Sequence, residues 1–343
     1  MADIRVYFAT NRNHQPQNKS DLFGKHFNPD GVAALRFGHA DYRRGKKGPV
    51  LEAVDAYPDT PAEGSGRFMA ALHQAMSGER SDTLVFIHGF NVSFKGALAA
   101  GAELADQVKV ADEPDKPATR PVNVVVFSWP SDGEAIPQMS YYSDREDARV
   151  TGPALARAYL KLRDFIVEMD EKHYCERRLH LLCHSMGNYV LRNGLQALIA
   201  KDPNALTRLF DQIIMAAPDE DDDAFELDSK LRQLPRIGRQ VTVYFNPTDR
   251  ALLISDKTKA NPDRLGSDGP RLVDLIPKKV VLVDCRAVAP AADWKARHSY
   301  YVNSLAVARD IGDVLLGRPP DEISNRTFVP QQRAYRISRD ATA

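Results

Sequence analysis

The stretch Leu179-His180-Leu181-Leu182-Cys183-His184-Ser185-Met186-Gly187-Asn188 constrains this chain more than any other part of it. An apolar, strand-like run ends in a serine, a glycine follows two residues later, and a helical pattern begins at once. That is the layout of a nucleophile elbow, a strained strand-to-helix turn that holds a serine hydroxyl above the end of a sheet. Small residues are needed two positions either side of the serine, because the turn brings strand and helix backbones close together. Gly187 meets that need. Cys183 meets it less well, since it stands where glycine is usual. The competing reading is a serine that merely caps the helix behind it. A lone Ser-x-Gly would fit that reading, but the strand before it and the helix after it favour a nucleophile.

A serine hydroxyl is a weak nucleophile at neutral pH and needs a base, itself oriented by a third group. Where a serine is presented on such a turn, the chain order is Ser, acid, His. Eight of the nine histidines precede Ser185, so His298 is the base by elimination. It follows the strand-like residues 279–284, in the loop where a base belongs; the alternative is a surface histidine opening the last helix. Two carboxylates compete for the third role. Asp249 follows the strand-like residues 240–245, the second such run after the elbow, and Asp219 follows residues 212–217, the first. The acid in such enzymes comes from the later run, which assigns Asp249 and keeps Asp219 as the alternative. Asp219 also opens the run Asp219-Glu220-Asp221-Asp222-Asp223 ahead of a helical pattern, where acids complement a helix dipole without catalytic work. That run lacks the ligand spacing of an EF-hand loop, and no metal is assigned to it.

Thr83-Leu84-Val85-Phe86-Ile87-His88-Gly89-Phe90-Asn91 is an apolar strand ending in a turn. In a serine enzyme of this plan, one oxyanion-binding N–H comes from the loop after this strand and one from the residue after the nucleophile. These are Phe90 and Met186. Gly89 lets the backbone turn so that the next amide points into the site. His88 reads as a buried brace for that loop rather than a proton carrier.

Strand and helix patterns alternate along the chain, which predicts an α/β fold with a mainly parallel sheet and helices on both faces. Helices are predicted over 67–77, 93–108 and 148–171, strands over 4–9, 50–56, 83–87 and 122–129, and a Pro-rich surface loop over 111–121. Residues 1–317 read as a single domain, with 318–343 a polar tail that packs loosely or projects. The long segments 131–147 and 252–277 are candidate lids or pocket walls. Asn91, Trp129, Tyr141 and Tyr142 are candidate pocket residues, though each aromatic could equally be core.

Lys plus Arg and Asp plus Glu both number 46 and balance, which argues against nucleic acid or an anionic membrane surface as the main partner. No apolar run is long enough to span a bilayer, and the opening residues Met1-Ala2-Asp3-Ile4-Arg5 lack the apolar core of a signal peptide, so a soluble protein is expected. Three cysteines cannot all pair, and two lie in or beside apolar runs, so a reducing, cytoplasmic setting is expected. No phosphate loop, His/Cys metal spacing or H-E-x-x-H motif appears, and no cofactor is expected.

The pieces Phe8-Ala9-Thr10-Asn11-Arg12, Val85-Phe86-Ile87-His88-Gly89-Phe90-Asn91-Val92-Ser93-Phe94, Phe127-Ser128-Trp129-Pro130-Ser131, His184-Ser185-Met186-Gly187-Asn188 and Ala216-Ala217-Pro218-Asp219 resemble the largely bacterial alpha/beta hydrolases of unknown function. The resemblance runs from about residue 5 to about residue 315. It implies an alpha/beta hydrolase fold and serine-ester chemistry, and it supplies no substrate. The expected activity is hydrolysis of a small-molecule carboxylic ester or acyl substrate through an acyl-enzyme on Ser185. An acyltransferase or amidase with the same triad, or a non-catalytic binding module on a hydrolase fold, is the alternative. The sequence names neither acyl length nor oligomeric state.

Overall fold

Short apolar runs bounded by turn residues become strands buried on both faces. The elbow strand Leu179–His184 and its neighbour Asn123–Ser128 are buried at every position. In the computed structural model, the described residues are 3–338 without 18–21, 59–60, 79–80, 114–115, 132–136, 169–174, 250, 253–262 and 289–296. Their main sheet has 11 strands, ordered Arg326–Val329, Ala334–Ile337, Val280–Asp284, Gly238–Phe245, Phe210–Ala216, Leu179–His184, Thr83–Ile87, Asn123–Ser128, Ile4–Thr10, Arg36–Gly45 and Gly48–Ala56. Every neighbouring pair from Ala334–Ile337 to Ile4–Thr10 is parallel, and both ends of the sheet finish antiparallel. Helices make the crossovers: Phe94–Gln107 links two of the parallel strands and Gly187–Lys201 leads away from the elbow.

Because side chains alternate along a strand, each central strand feeds two cores. Leu181 and Cys183 face one apolar cluster, with Met186 and Val190 from the elbow helix, whereas Leu182 faces the other, with Leu98 and Ile311. The elbow is therefore gripped from both sides, and Ser185 emerges at the strand's C-terminal end, where ligands bind in open α/β sheets.

Several expectations need correction. The helix expected over 148–171 is two helices, Pro137–Val150 and Gly152–Val167, joined at Thr151. Pro153 suits a helix's first turn but not its interior. A Cβ on Gly152 would also stand 2.7 Å from the Asn193 carbonyl, so the second helix packs against Gly187–Lys201 through bare backbone. The first helix begins inside the segment 131–147, most of whose described part is thus helix rather than loop. The strand Arg36–Gly45, which pairs on both its edges, carries too many polar residues to stand out as a run. The loop expected over 111–121 contributes the short strand Ala118–Pro121, which pairs with Lys109–Ala111.

The tail beyond residue 317 does not project along its described length. Ala334–Ile337 adds a parallel strand beside Val280–Asp284, and Arg326–Val329 pairs with it in turn. Arg326 ties this polar segment to the body of the fold. Its buried guanidinium forks onto Asp310 of the helix Leu305–Leu316 (Nε–Oδ2 2.8 Å, Nη2–Oδ1 2.6 Å), and the Tyr244 hydroxyl donates to the same carboxylate at 2.6 Å. Among the described residues no helix is long and apolar enough to cross a membrane.

Candidate active site

Ser185 carries φ +52°, a left-handed conformation that a non-glycine residue holds only where its surroundings impose it. Those surroundings are explicit. The Ser185 N–H donates to the Ala216 carbonyl at 3.0 Å, continuing the ladder to the next strand. The Ser185 carbonyl accepts from the amides of Asn188 (3.0 Å) and Asp219 (3.2 Å). The Asn188 side chain, fully buried, donates to the carbonyls of Cys183 (3.1 Å) and Ser185 (3.0 Å) and so fastens the helix start to the strand end. Gly187 is demanded by proximity, since a Cβ there would stand 2.4 Å from the Ile87 carbonyl oxygen and 2.7 Å from that of His88. The elbow helix thus rests directly on the backbone at the end of the strand Thr83–Ile87, just before the turn that carries Gly89 and Phe90.

His298 and Asp249 meet. His298 Nδ1 lies 2.7 Å from Asp249 Oδ2, and both residues are buried. Asp249 is aimed by its turn after Gly238–Phe245. Its N–H donates to the Asn246 carbonyl at 3.0 Å, and its other carboxylate oxygen accepts the Ala251 amide at 3.0 Å. With Nδ1–H given to the carboxylate, Nε2 is the basic nitrogen of His298. The His298 backbone is held as well, because its carbonyl lies 3.3 Å from His184 Nε2. Burial alone would lower the His298 pKa. The Asp249 carboxylate, through its charge and its hydrogen bond, outweighs burial and raises the pKa above the ordinary histidine value, with Asp219 adding in the same direction. His184 is the opposite case, held well below that value by burial and by His298 beside it.

Asp219, the alternative acid, is engaged elsewhere. Its Oδ2 accepts the Tyr141 hydroxyl at 2.9 Å, and Arg264 Nε stands 3.8 Å from Oδ1. Tyr141 is buried and meets the Phe90 ring edge-on at 5.6 Å between centroids. Tyr142, 57% exposed, points outward from the same helix. Trp129 is fully buried, stacked on His88 with the rings 8° from parallel and 5.3 Å apart, so its ring supports the loop from behind rather than lining an opening. Asn91 has φ +57°, and its backbone, more than its side chain, is the part held in place, its N–H donating to Asp144 Oδ2 at 2.6 Å. Burial, followed by the nearby Arg12 charge, lowers the His88 pKa to about 3, which keeps that ring neutral. Neither the Phe90 nor the Met186 amide has a hydrogen-bond partner among the described residues.

Phe90, Met186, Ser185, Asp249 and His298 thus gather at the C-terminal ends of the parallel strands, while Asp219 stands beside them. The sequence reading missed the roles of Asn188, His184 and Asp144, whose types carry no signal until the turn they brace is known. Residues 132–136 and 253–262, within the two candidate pocket segments, lie outside the described residues. An apolar cavity of about 80 Å³ and an adjoining groove of about 540 Å³ share Leu72, Leu162, Leu179 and Phe210, and neither is lined by Ser185, Asp249 or His298. Among the described residues no cluster of three or more His, Cys, Asp or Glu could hold a metal ion.

The profile of a family described as "Alpha/beta hydrolase of unknown function (DUF900)" matches residues 67–317. The chain belongs to this family. Among curated proteins, the uncharacterized protein alr1448 of a Nostoc species is 26% identical over an alignment 174 residues long, with 46% of this chain and 42% of that protein covered. The chain therefore spans less than half the length of that relative. Among solved structures, an esterase from the archaeon Pyrobaculum calidifontis is similar at 12% identity and a TM-score of 0.35, with 83% of each chain covered. Lipase B of Aspergillus fumigatus is similar at 12% identity and a TM-score of 0.27, covering 50% of this chain and 38% of that one. These likenesses are too remote to carry an argument about chemistry. Family membership and the sheet order together make this an alpha/beta hydrolase fold, and a hydrolase is the kind of activity that fold and family support.

Proposed function

We propose that this alpha/beta hydrolase is a serine hydrolase of small carboxylic esters. The observation that carries the reading is Asp249 paired to His298 at 2.7 Å, with the His298 ring 4.7 Å between centroids from that of His184, whose chain neighbour Ser185 is buried and held at φ +52°. Ser185 Oγ attacks the ester carbonyl as His298 Nε2 takes its proton, and the Phe90 and Met186 amides receive the oxyanion. The C–O bond to the leaving alcohol then breaks, His298 returns the proton to that alcohol, and an acyl-Ser185 remains. Water, deprotonated by His298, attacks the acyl group, releases the carboxylic acid and restores the serine. Asp249 sets the tautomer and stabilises the imidazolium in both halves. No step needs a cofactor. Acyl transfer to an alcohol or amine would use the same residues, with the acceptor in place of water.

The test is hydrolysis of a p-nitrophenyl ester series as a function of pH. Only neutral His298 can accept the serine proton, and its pKa is raised, so kcat/KM is expected to climb through an ionisation above 6.5. Activity is thus lost as pH falls through that raised value. Asp249→Asn removes the negative charge that favours the imidazolium and is expected to move the acid limb to lower pH. A wild-type acid limb well below 6.5, or one unmoved in the variant, would contradict this assignment.

A further inference from the structure

The turn that carries Phe90 is restrained far beyond the needs of a loop its size. Asn91 is left-handed, and its N–H donates to Asp144 Oδ2 at 2.6 Å. The next amide, Val92, donates to Ser131 Oγ at 3.0 Å, and that hydroxyl donates to the same Asp144 oxygen at 2.6 Å. The Val92 carbonyl accepts Arg12 Nη2 at 2.8 Å. Arg12 extends its other nitrogens to the Ser131 carbonyl (3.2 Å), the Ser128 hydroxyl (3.0 Å) and the Gly24 carbonyl (3.1 Å). Behind the turn, the His88 carbonyl accepts the Trp129 indole N–H at 2.9 Å, while His88 Nδ1 lies 2.8 Å from the Gly89 carbonyl oxygen. Arg12, Ser131, Asp144 and Trp129 are all buried. Among the backbone N–H groups of residues 90–92, that of Phe90 alone has no partner within the described residues.

We propose that Arg12, Ser131 and Asp144 form a buried clamp that locks residues 89–92 in one conformation and aims the Phe90 amide at the reacting carbonyl. They are positioning residues that touch the backbone and not the substrate. A left-handed asparagine persists only where neighbours over-determine it, and such strain gathers at functional sites. Charge-assisted bonds to a carboxylate and a guanidinium supply the determination and are stronger than neutral ones. The design suits an oxyanion donor, which stabilises a transition state best when it needs no reorganisation at the moment of reaction. It also gives the Thr-Asn-Arg and Ser-Trp-Pro-Ser pieces one shared purpose, since Arg12, Ser128, Trp129 and Ser131 converge on the same turn. Asp144 is tied to the site a second way. Tyr141 lies on the same helix, one turn earlier, packs on the Phe90 ring and reaches Asp219, whose amide bonds the Ser185 carbonyl.

The inference rests on the serine-hydrolase reading, and the experiment separates the two. Wild type, Ser131→Ala, Asp144→Asn and Arg12→Lys are compared for p-nitrophenyl ester turnover and for inhibition by an aryl trifluoromethyl ketone, whose serine adduct carries an oxyanion. In each folded variant kcat is expected to fall by about 10²-fold, the usual cost of losing one oxyanion donor. KM should change little, and ketone affinity should fall in proportion to kcat/KM. A merely structural role would lower the melting temperature without that proportionality. Ser131→Ala removes a single hydroxyl and keeps the test decisive if a charge variant does not fold. Wild-type kcat and ketone affinity in folded Ser131→Ala would overturn the clamp while leaving the hydrolase reading intact. No turnover and no ketone binding by wild type would instead remove the hydrolase reading, and the clamp with it.

Discussion

Asp249→Asn is expected to fold normally and to lose about 10⁴ in kcat, the scale seen when a catalytic histidine is set in the wrong tautomer. The Asp249 carboxylate accepts from His298 Nδ1, which makes Nε2 the free base. An asparagine amide facing Nδ1 donates instead and drives the ring proton onto Nε2, where it blocks proton transfer from the serine. Asp219→Asn is expected to cost far less. Asp219 bonds the Tyr141 hydroxyl and acts on His298 only through its charge, so the main change should be a lower acid-limb pKa. Steady-state kinetics of the two variants with one activated ester decide the matter. If Asp219→Asn does the greater damage, the acid has been misassigned.

Arg326→Ala is expected to destabilise the protein by about 3–5 kcal/mol, because it leaves the Asp310 carboxylate buried without its fork partner. Both side chains are fully buried, and Tyr244 shares the carboxylate, so removal of the cation disturbs three elements together. The control is the double variant Arg326→Met with Asp310→Leu, which removes both charges. It should recover much of the loss, since apolar residues can replace a buried pair with little cost. Denaturant titration at neutral pH measures both. A loss below about 1 kcal/mol for Arg326→Ala would place the pair in the range of exposed ion pairs and refute its anchoring role.

The centre of the fold was legible because each residue there answers to one dominant constraint. Short apolar runs bounded by turn residues suit strands buried on both faces, and a glycine two residues after a serine follows from backbones in contact at Gly187. The sole histidine after the elbow needed no structure to single it out, and the structure brings it to Asp249. What escaped were elements whose stability comes from partners distant in sequence. The tail strand depends on Arg326 finding Asp310, and Arg36–Gly45 depends on strands at both its edges. Pro153 marks the break at Thr151 locally, but the seat of Gly152 against Asn193 is a contact no local pattern reveals. Asp144 looks in sequence like any acid on a helix surface, yet it is wholly buried against the turn that carries Phe90. Polar residues recruited to brace a turn announce themselves only once that turn is in place.

The central claim is that Ser185 is an activated nucleophile, and the most direct measurement is intact mass after exposure to a fluorophosphonate. Wild type is expected to gain one adduct by forming a P–O bond to the serine with loss of fluoride, whereas folded Ser185→Ala should gain none. An unlabelled wild type, or an adduct that persists in Ser185→Ala, would contradict the account.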